Sequence, residues 1–272
     1  MDHYSRHLQF DALVERLRQA YPGGADARQL APVDQLHTGG IQASLQLCQR
    51  LARLAPTRVL DIGSGAGGLM RLLQALPGCQ VTGLDLSHGL NRLNRALAAL
   101  HRTAGHPALV TGDARTLPFA AATFDTLVMQ HSLLNMPDTG AVLLECHRVL
   151  ANGGHLMLHE LVQGPSDAPL HYPVPWADSA SGSHLLDTPA LALRLQQAGF
   201  ESLEVTDLSA QALSWRSRQQ AKERDPKRRT AAPVSPGLIL GTDFHVRADN
   251  LLCNLAEGRV GVVEWLLRKP AG

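Results

Sequence analysis

Aromatic residues are scarce in this 272-residue chain: five Phe, three Trp and three Tyr make up 4% of it. A core must therefore come mainly from Leu, Val and Ala, and 44% apolar residues suffice for a full core without covalent staples. Cysteine is equally sparse. Cys48, Cys79, Cys146 and Cys253 show no C-x-x-C and no metal-type spacing, which excludes a disulfide framework and a zinc ribbon. Reduced, mostly buried thiols of a cytoplasmic protein are the expectation. Neither sign of charge dominates: 25 Lys and Arg face 24 Asp and Glu, which argues against a broad nucleic-acid-binding surface. No apolar run approaches the ~20 residues that cross a bilayer, so no membrane partner is expected. Met1 to Phe10 is polar and charged, unlike a signal peptide. The thirteen histidines form no Cys/His cluster, and no metal is expected.

What the chain does carry is the run Val59-Leu60-Asp61-Ile62-Gly63-Ser64-Gly65-Ala66-Gly67-Gly68, an apolar strand ending in a carboxylate and a glycine loop. Such a loop brings backbone close to a ligand at the start of the next helix. Gly63, Gly65 and Gly68 also fit the G-x-G-x-x-G of dinucleotide enzymes, so the loop alone is ambiguous. Its carboxylates are more selective. A pyrophosphate disfavours Asp61 at the strand tip, whereas a ligand with an ammonium and a sulfonium is stabilised by it. Asp85 ends the next strand, 20 residues after Gly65, where an acidic side chain can accept both ribose hydroxyls. Asp113, in Gly112-Asp113-Ala114, follows a third strand and can accept from an adenine amine, with Leu86 packed on the ring and the Ala114 N–H donating to it. The series points to S-adenosylmethionine and methyl transfer. Helix capping by Asp85, Ser87 or Asp113 is the alternative for each residue taken singly.

Strand-like and helix-like segments alternate from residue 58 to 161, predicting a parallel sheet covered by helices on both faces. Strands are expected at 58–62, 80–85, 108–111, 124–129, 155–161, 201–208 and 260–267. Helices are expected at 5–20, 40–54, 67–76, 139–150 and after Thr188-Pro189, and a loop is expected from Pro22 to Asp34. The domain plan is an N-terminal helical cap over 1–56 and a Rossmann-like domain over 57–272. Two insertions interrupt that domain. One is a Pro-rich lid over 163–187; the other, 209–258, is helical. Long irregular insertions in compact domains usually serve function. Arg216 to Arg229, with seven basic and two acidic residues, reads as a solvated helix and loop, with phosphate binding as the alternative.

These motifs resemble the class I S-adenosylmethionine-dependent methyltransferases, within them the small-molecule branch of glycine/sarcosine N-methyltransferases and their secondary-metabolite relatives. The resemblance is carried by Asp34-Gln35-Leu36-His37-Thr38-Gly39-Gly40, the Gly63 loop, Val81 to Ser87, Gly112 to Ala114, Leu117-Pro118-Phe119, Arg148-Val149-Leu150, Tyr172 to Ala177 and Ala198-Gly199-Phe200. It implies a seven-stranded sheet whose last strand runs antiparallel. It also implies that Asp61, Gly63, Ser64 and Gly65 lie beside the methionine moiety, that Gln130 contacts the cofactor, and that Gln35, Thr38 and Gly39 close over it. A helix entry capped by Thr38 is the competing reading of that last motif.

Methyl transfer from a sulfonium is an in-line displacement, so the protein must align the partners and exclude water, with no covalent intermediate. A general base matters for a hydroxyl acceptor and much less for an amine. His131 and His159, at the ends of strands four and five, are the candidate catalytic residues; Asn135, Tyr172 and Trp176 are the candidate substrate-binding residues. A small metabolite methylated on nitrogen or oxygen is the expected substrate, nitrogen being favoured by the resemblance alone, and the expected assembly is a monomer or homodimer. The rivals are an NAD-dependent oxidoreductase, disfavoured by Asp61 and the lack of a Tyr-x-x-x-Lys pair, and a cofactor-binding protein without turnover.

Overall fold

The computed structural model describes residues 10–102, 105–225 and 234–271. Seven strands form one sheet: β1 Arg58–Ile62, β2 Gln80–Asp85, β3 Ala108–Thr111, β4 Phe124–Gln130, β5 Leu150–Gln163, β6 Glu201–Asp207 and β7 Val260–Arg268, in the order β3-β2-β1-β4-β5-β7-β6. The pairs from β3 through to β5 are parallel, and β7 runs antiparallel between β5 and β6. This is the expected class I sheet. Four of the five β1 residues and five of the seven in β4 are buried, as a strand covered on both faces requires. Strand order reverses between β1 and β4, so their carboxyl ends open a crevice beyond the sheet.

Around the sheet lie α1 Phe10–Ala20, α2 Ala27–Asp34, α3 Gly40–Ala52, α4 Gly68–Leu73, α5 His88–Leu100, α6 Thr139–Val149, α7 Thr188–Gln197, α8 Ser209–Arg224, α9 Gly237–Leu240 and α10 Phe244–Ala256. Helix α2 stands where a loop is expected. Asp26 accepts from the Arg28 and Gln29 N–H groups, and the Gln29 side chain accepts from the Asp26 N–H, a complete capping box. Helix α1 is the described part of the 5–20 helix; residues 5–9 of that expectation lie outside the described residues. Strand β5 is twice the expected length. Helix α6 ends at Val149, and the strand starts at once through Gly153 (φ 76°) and Gly154, where a methyl would press on the Asp125 and Ala151 carbonyls.

One face of the sheet packs against α6 and α7 through residues such as Leu127, Val142 and Leu195; the other packs on α3 and α4 through Val59, Leu47 and Leu73. A buried ion pair, Arg71 Nη2 to Asp34 Oδ2 at 2.6 Å, fastens α4 to the end of α2. Burial drives the Asp34 carboxyl pKa up against the opposing pull of Arg71. Helix α8 packs on α10, and Arg216, expected in solvent, is buried and bonded to Glu223 at 2.9 Å. Lys227 to Arg229 of the same basic segment lie outside the described residues. All four cysteines are free, and Cys253 is exposed.

Candidate functional site

The loop after β1 is shaped by its neighbours. The Gly63 and Ser64 N–H groups both donate to the Leu84 carbonyl, at 2.7 and 3.1 Å, and tie the loop to β2. Gly63 has φ 79°, and a methyl there would overlap the Ser132 side chain, so only glycine fits. Asp85, at the tip of β2, accepts from the Gly65 N–H and the Ser87 N–H, both at 2.8 Å. Ser87, not Asp85, caps α5 by accepting from Leu90 N.

Asp61, at the end of β1, is buried. Burial, reinforced by the neighbouring Asp85 charge, pushes its carboxyl up to about 7. These residues line a cavity of about 500 Å³ at the carboxyl ends of β1 and β4, to which Asp61 and Asp85 contribute carboxylates; Asp34 also lines it, but its carboxylate is held by Arg71. Among the described residues no Lys or Arg lines it. Leu86, 66% exposed, lies at its edge, an apolar side chain unusually free of neighbours.

Three histidines converge on one wall. Ring centroids lie 5.1 Å apart for His131–His159, 5.8 Å for His37–His131 and 6.0 Å for His37–His159. His131 follows β4 with φ 52°, a left-handed conformation that side chains rarely adopt, and its Nε2 is 2.8 Å from Thr38 Oγ1. His37 Nε2 lies 3.1 Å from the Gly40 carbonyl, which can only accept, so that nitrogen carries the proton and Nδ1 keeps its lone pair. Burial keeps all three imidazoles neutral: His37 falls to about 4, His159 to about 3, and His131 well below its ordinary value, helped by its two neighbours.

Behind this wall Glu160 is a brace. Its Oε1 accepts the Ser132 and Leu133 N–H groups, each at 2.9 Å, and burial pushes the carboxyl up to about 7. The Ser44 hydroxyl donates to Gln35 Oε1 at 2.6 Å, and its oxygen lies 3.0 Å from Gln130 Oε1.

Eleven of the expected site residues line the cavity: Thr38, Asp61, Gly63, Ser64, Gly65, Asp85, Leu86, Gln130, His131, Asn135 and Trp176. Six lie elsewhere. Gln35 and Gly39 line a second cavity of about 870 Å³, Gln35 held by Ser44 and Gly39 opening α3 at φ 85° without a Thr38 cap. Asp113 is gripped by the Arg115 guanidinium at 2.6 and 3.1 Å, and Ala114 is buried in the core. His159 sits beneath His131, away from the cavity surface. Tyr172 packs against the apolar cluster under α8 and α10. His37 and Ser132 line the cavity unforeseen. His37 sits in the Asp34–Gly40 motif, beside Thr38, and that adjacency was its one signal.

The 163–187 segment is sewn to α10. Arg247 Nη1 donates to the Val174 carbonyl at 2.8 Å, Asn250 to Pro173 at 2.9 Å and Asn254 to His171 at 3.0 Å. Trp176 is buried, with its indole N–H donated to Ser183 Oγ. Among the described residues no group of three or more His, Cys, Asp or Glu side chains is placed to hold a metal, and no helix is long and apolar enough to cross a membrane.

Residues 60–158 match the methyltransferase domain family. The chain is 30% identical over 184 residues to the methyltransferase GfsG of Streptomyces halstedii, covering 66% of this chain and 65% of that protein. Its matches to curated relatives span 43% to 66% of their lengths. In fold it is similar to a Haemonchus contortus phosphoethanolamine N-methyltransferase 2 solved with phosphomonomethylethanolamine and S-adenosylhomocysteine (TM-score 0.70, 21% identity, 86% of this chain and 54% of that one). It is also similar to the [4+2]-cyclase SpnF (TM-score 0.64, 21% identity, 96% and 93%).

Proposed function

We propose that this chain, whose residues 60–158 match the methyltransferase-domain family and whose sheet is that of the class I enzymes, transfers a methyl group from S-adenosylmethionine to a small acceptor. The observation that carries the reading is the cavity at the strand-order reversal, lined by the Asp61 and Asp85 carboxylates and, among the described residues, by no cationic side chain. That lining suits a ligand bearing an ammonium and a sulfonium and disfavours a pyrophosphate. When bound there, the cofactor supplies a methyl group already activated by positive charge on sulfur.

The chain's own residues then have three tasks. Asp61, with the Gly63–Gly65 backbone, holds the ammonium end, and Asp85 keeps acceptor capacity for ribose hydroxyls beside its two backbone bonds. Leu86 covers the adenine, while Asp113 is drawn to Arg115 and contributes to the adenine end only if that pair opens. Thr38, bonded to His131, and the roof containing Trp176 exclude water from the reacting atoms. The N-terminal helices α1, α2 and α3 act as the cap that brings Thr38 and His37 over the site.

Imidazoles placed beside the transfer point offer a proton acceptor to a hydroxyl, and so favour a hydroxyl oxygen ahead of an amine nitrogen; burial makes them weak bases, so the proton is taken only as the methyl arrives and the acceptor oxygen turns strongly acidic. His131 is the proton acceptor, with His159 stacked behind it as a positioning residue. With any accepted substrate, His131→Ala should lower kcat ~100- to 10,000-fold and leave S-adenosylhomocysteine affinity intact. A rate within a few-fold of wild type, following only the acceptor's own titration, would shift the assignment to nitrogen.

A further inference from the structure

The larger cavity, about 870 Å³, adjoins the first; Leu36, His37, Thr38, Pro175 and Leu251 line both. Its charge is opposite. Arg16 from α1, Arg28 from α2, and Arg216, Arg218 and Lys222 from α8 line it, and Glu223 is the one carboxylate in that lining among the described residues. Glu223 is already taken by Arg216 through both carboxylate oxygens. Among the described residues, Arg218 bonds a neutral group, the Ser214 hydroxyl at 2.5 Å.

In a chain with almost equal numbers of acidic and basic residues, such a concentration of one sign is local and specific. It also works against the helix that carries it, because Arg218 and Lys222 are like charges one turn apart. Below the cationic rim the floor is apolar: Val234, Leu240 and Phe244 are buried, and half-buried Trp215 packs against the backbone of Gly40, next to the His37–Thr38 wall. A cavity of this size suits a small organic molecule, and its lining asks for an apolar body with a negative end.

We infer that this second cavity is the acceptor site, and that it takes an apolar or aromatic acceptor carrying a phosphate or carboxylate group. The apolar body lies on Leu240, Phe244 and Trp215, and the anion faces Arg28, Arg218 and Lys222. The reacting end reaches the wall shared with the first cavity. That the ligand is the methyl acceptor rests on the methyl-transfer reading; the anion preference is a property of the cavity itself.

The test is calorimetric, at low ionic strength and pH 7.5, with 1-naphthyl phosphate, 1-naphthoate and neutral 1-naphthol as probes. At least one of the two anions should bind roughly tenfold or more tightly than 1-naphthol, and the preference should fade as salt is added. Which anion is preferred separates phosphorylated from carboxylated acceptors. In Lys222→Glu and Arg28→Glu proteins the preference should collapse to within about threefold while 1-naphthol affinity holds, which also reports an intact fold. The charge-neutral variants Lys222→Gln and Arg28→Gln should fall between. Equal binding of the three probes to wild type, or a preference that survives both charge reversals, overturns the inference. The titrations need no cofactor, so failure of S-adenosylhomocysteine to bind would count against the methyltransferase reading while leaving the anion preference standing.

Discussion

Asp61 makes cofactor binding depend on pH in a direction that can be worked out beforehand. Its carboxyl is buried beside Asp85 and titrates at about 7, far above the ordinary 3.8. In the free protein, the proton is therefore half lost near neutrality. Between the ordinary value and 7 the folded protein holds a proton that the unfolded chain has released, so this group adds stability as pH falls through that window. Binding runs the other way. An ammonium placed against Asp61 requires the ionised form, so below pH 7 one proton must leave for each ligand bound.

From pH 7.5 to 5.5 the ionised fraction falls about 25-fold, and S-adenosylhomocysteine affinity should fall by about that factor, roughly 1.9 kcal/mol. The imidazoles of His37 and His159 titrate below this window, and Glu160, bonded to the Ser132 and Leu133 N–H groups, does not line the cavity; Asp34 and His184, which do, are left in place in Asp61→Asn, so a slope lost in that protein belongs to Asp61. Titration calorimetry in two buffers of different ionisation enthalpy counts the protons released, with close to one expected at pH 5.5. Asp61→Asn should bind more weakly at pH 7.5 and lose the pH slope. A wild-type affinity that is flat over those two units, or a slope retained in Asp61→Asn, would refute the assignment of Asp61 to the ammonium.

Three further outcomes follow from the packing. Glu160→Ala strands the buried Ser132 and Leu133 N–H groups and should cost about 2–6 kcal/mol in denaturant unfolding, whereas Glu160→Gln, which keeps an acceptor oxygen, should stay within about 1 kcal/mol. Gly63→Ala meets both a left-handed backbone and the Ser132 side chain; about 1–3 kcal/mol is expected from the backbone alone, with cofactor affinity lost in the same protein. Trp176→Ala empties a buried site and should destabilise by about 3–5 kcal/mol, measurable as a lowered Tm, while an unchanged Tm would mean that the roof is not packed as described.

The sheet was legible because most of its strands are short apolar runs with a turn signal at the end, and because the carboxylates fall at strand tips; β6, ESLEVTD with all but one residue exposed, is the exception. Asp61 and Asp85 were found on that ground, and the cavity they line is where the strand order reverses. The partner of Asp113 was not legible, since Arg115 two residues on is as consistent with solvent as with a salt bridge. Helix α2 was readable in principle from Asp26 and Gln29, the two ends of its capping box, but the loop residues before it hid the signal. Arg216 shows the limit of charge patterning: a basic run on a helix says nothing about which of its members turns inward to meet Glu223. The second cavity was legible only in part: Arg216, Arg218 and Lys222 belong to the basic segment for which phosphate binding was the alternative reading. Its walls come from α1, α2, α3, α8, α9 and α10, so no local pattern marks the whole of it, and its cations are spread over some 200 positions of sequence. His37 belongs to the same class, because its importance lies in its distance from His131 and His159.

The central claim is that the carboxylate-lined cavity delivers a methyl group to an acceptor across the His37–Thr38–His131 wall. The most direct measurement follows S-adenosylmethionine carrying an isotopically labelled methyl group, with the wild-type protein and a panel of aromatic and apolar hydroxyl and amine acceptors, half of them anionic. Label is expected in a small-molecule product, with one S-adenosylhomocysteine released for each methyl gained and hydroxyl acceptors that carry an anionic group turned over fastest. Saturable binding of S-adenosylmethionine with no label transferred to any acceptor in the panel would contradict it.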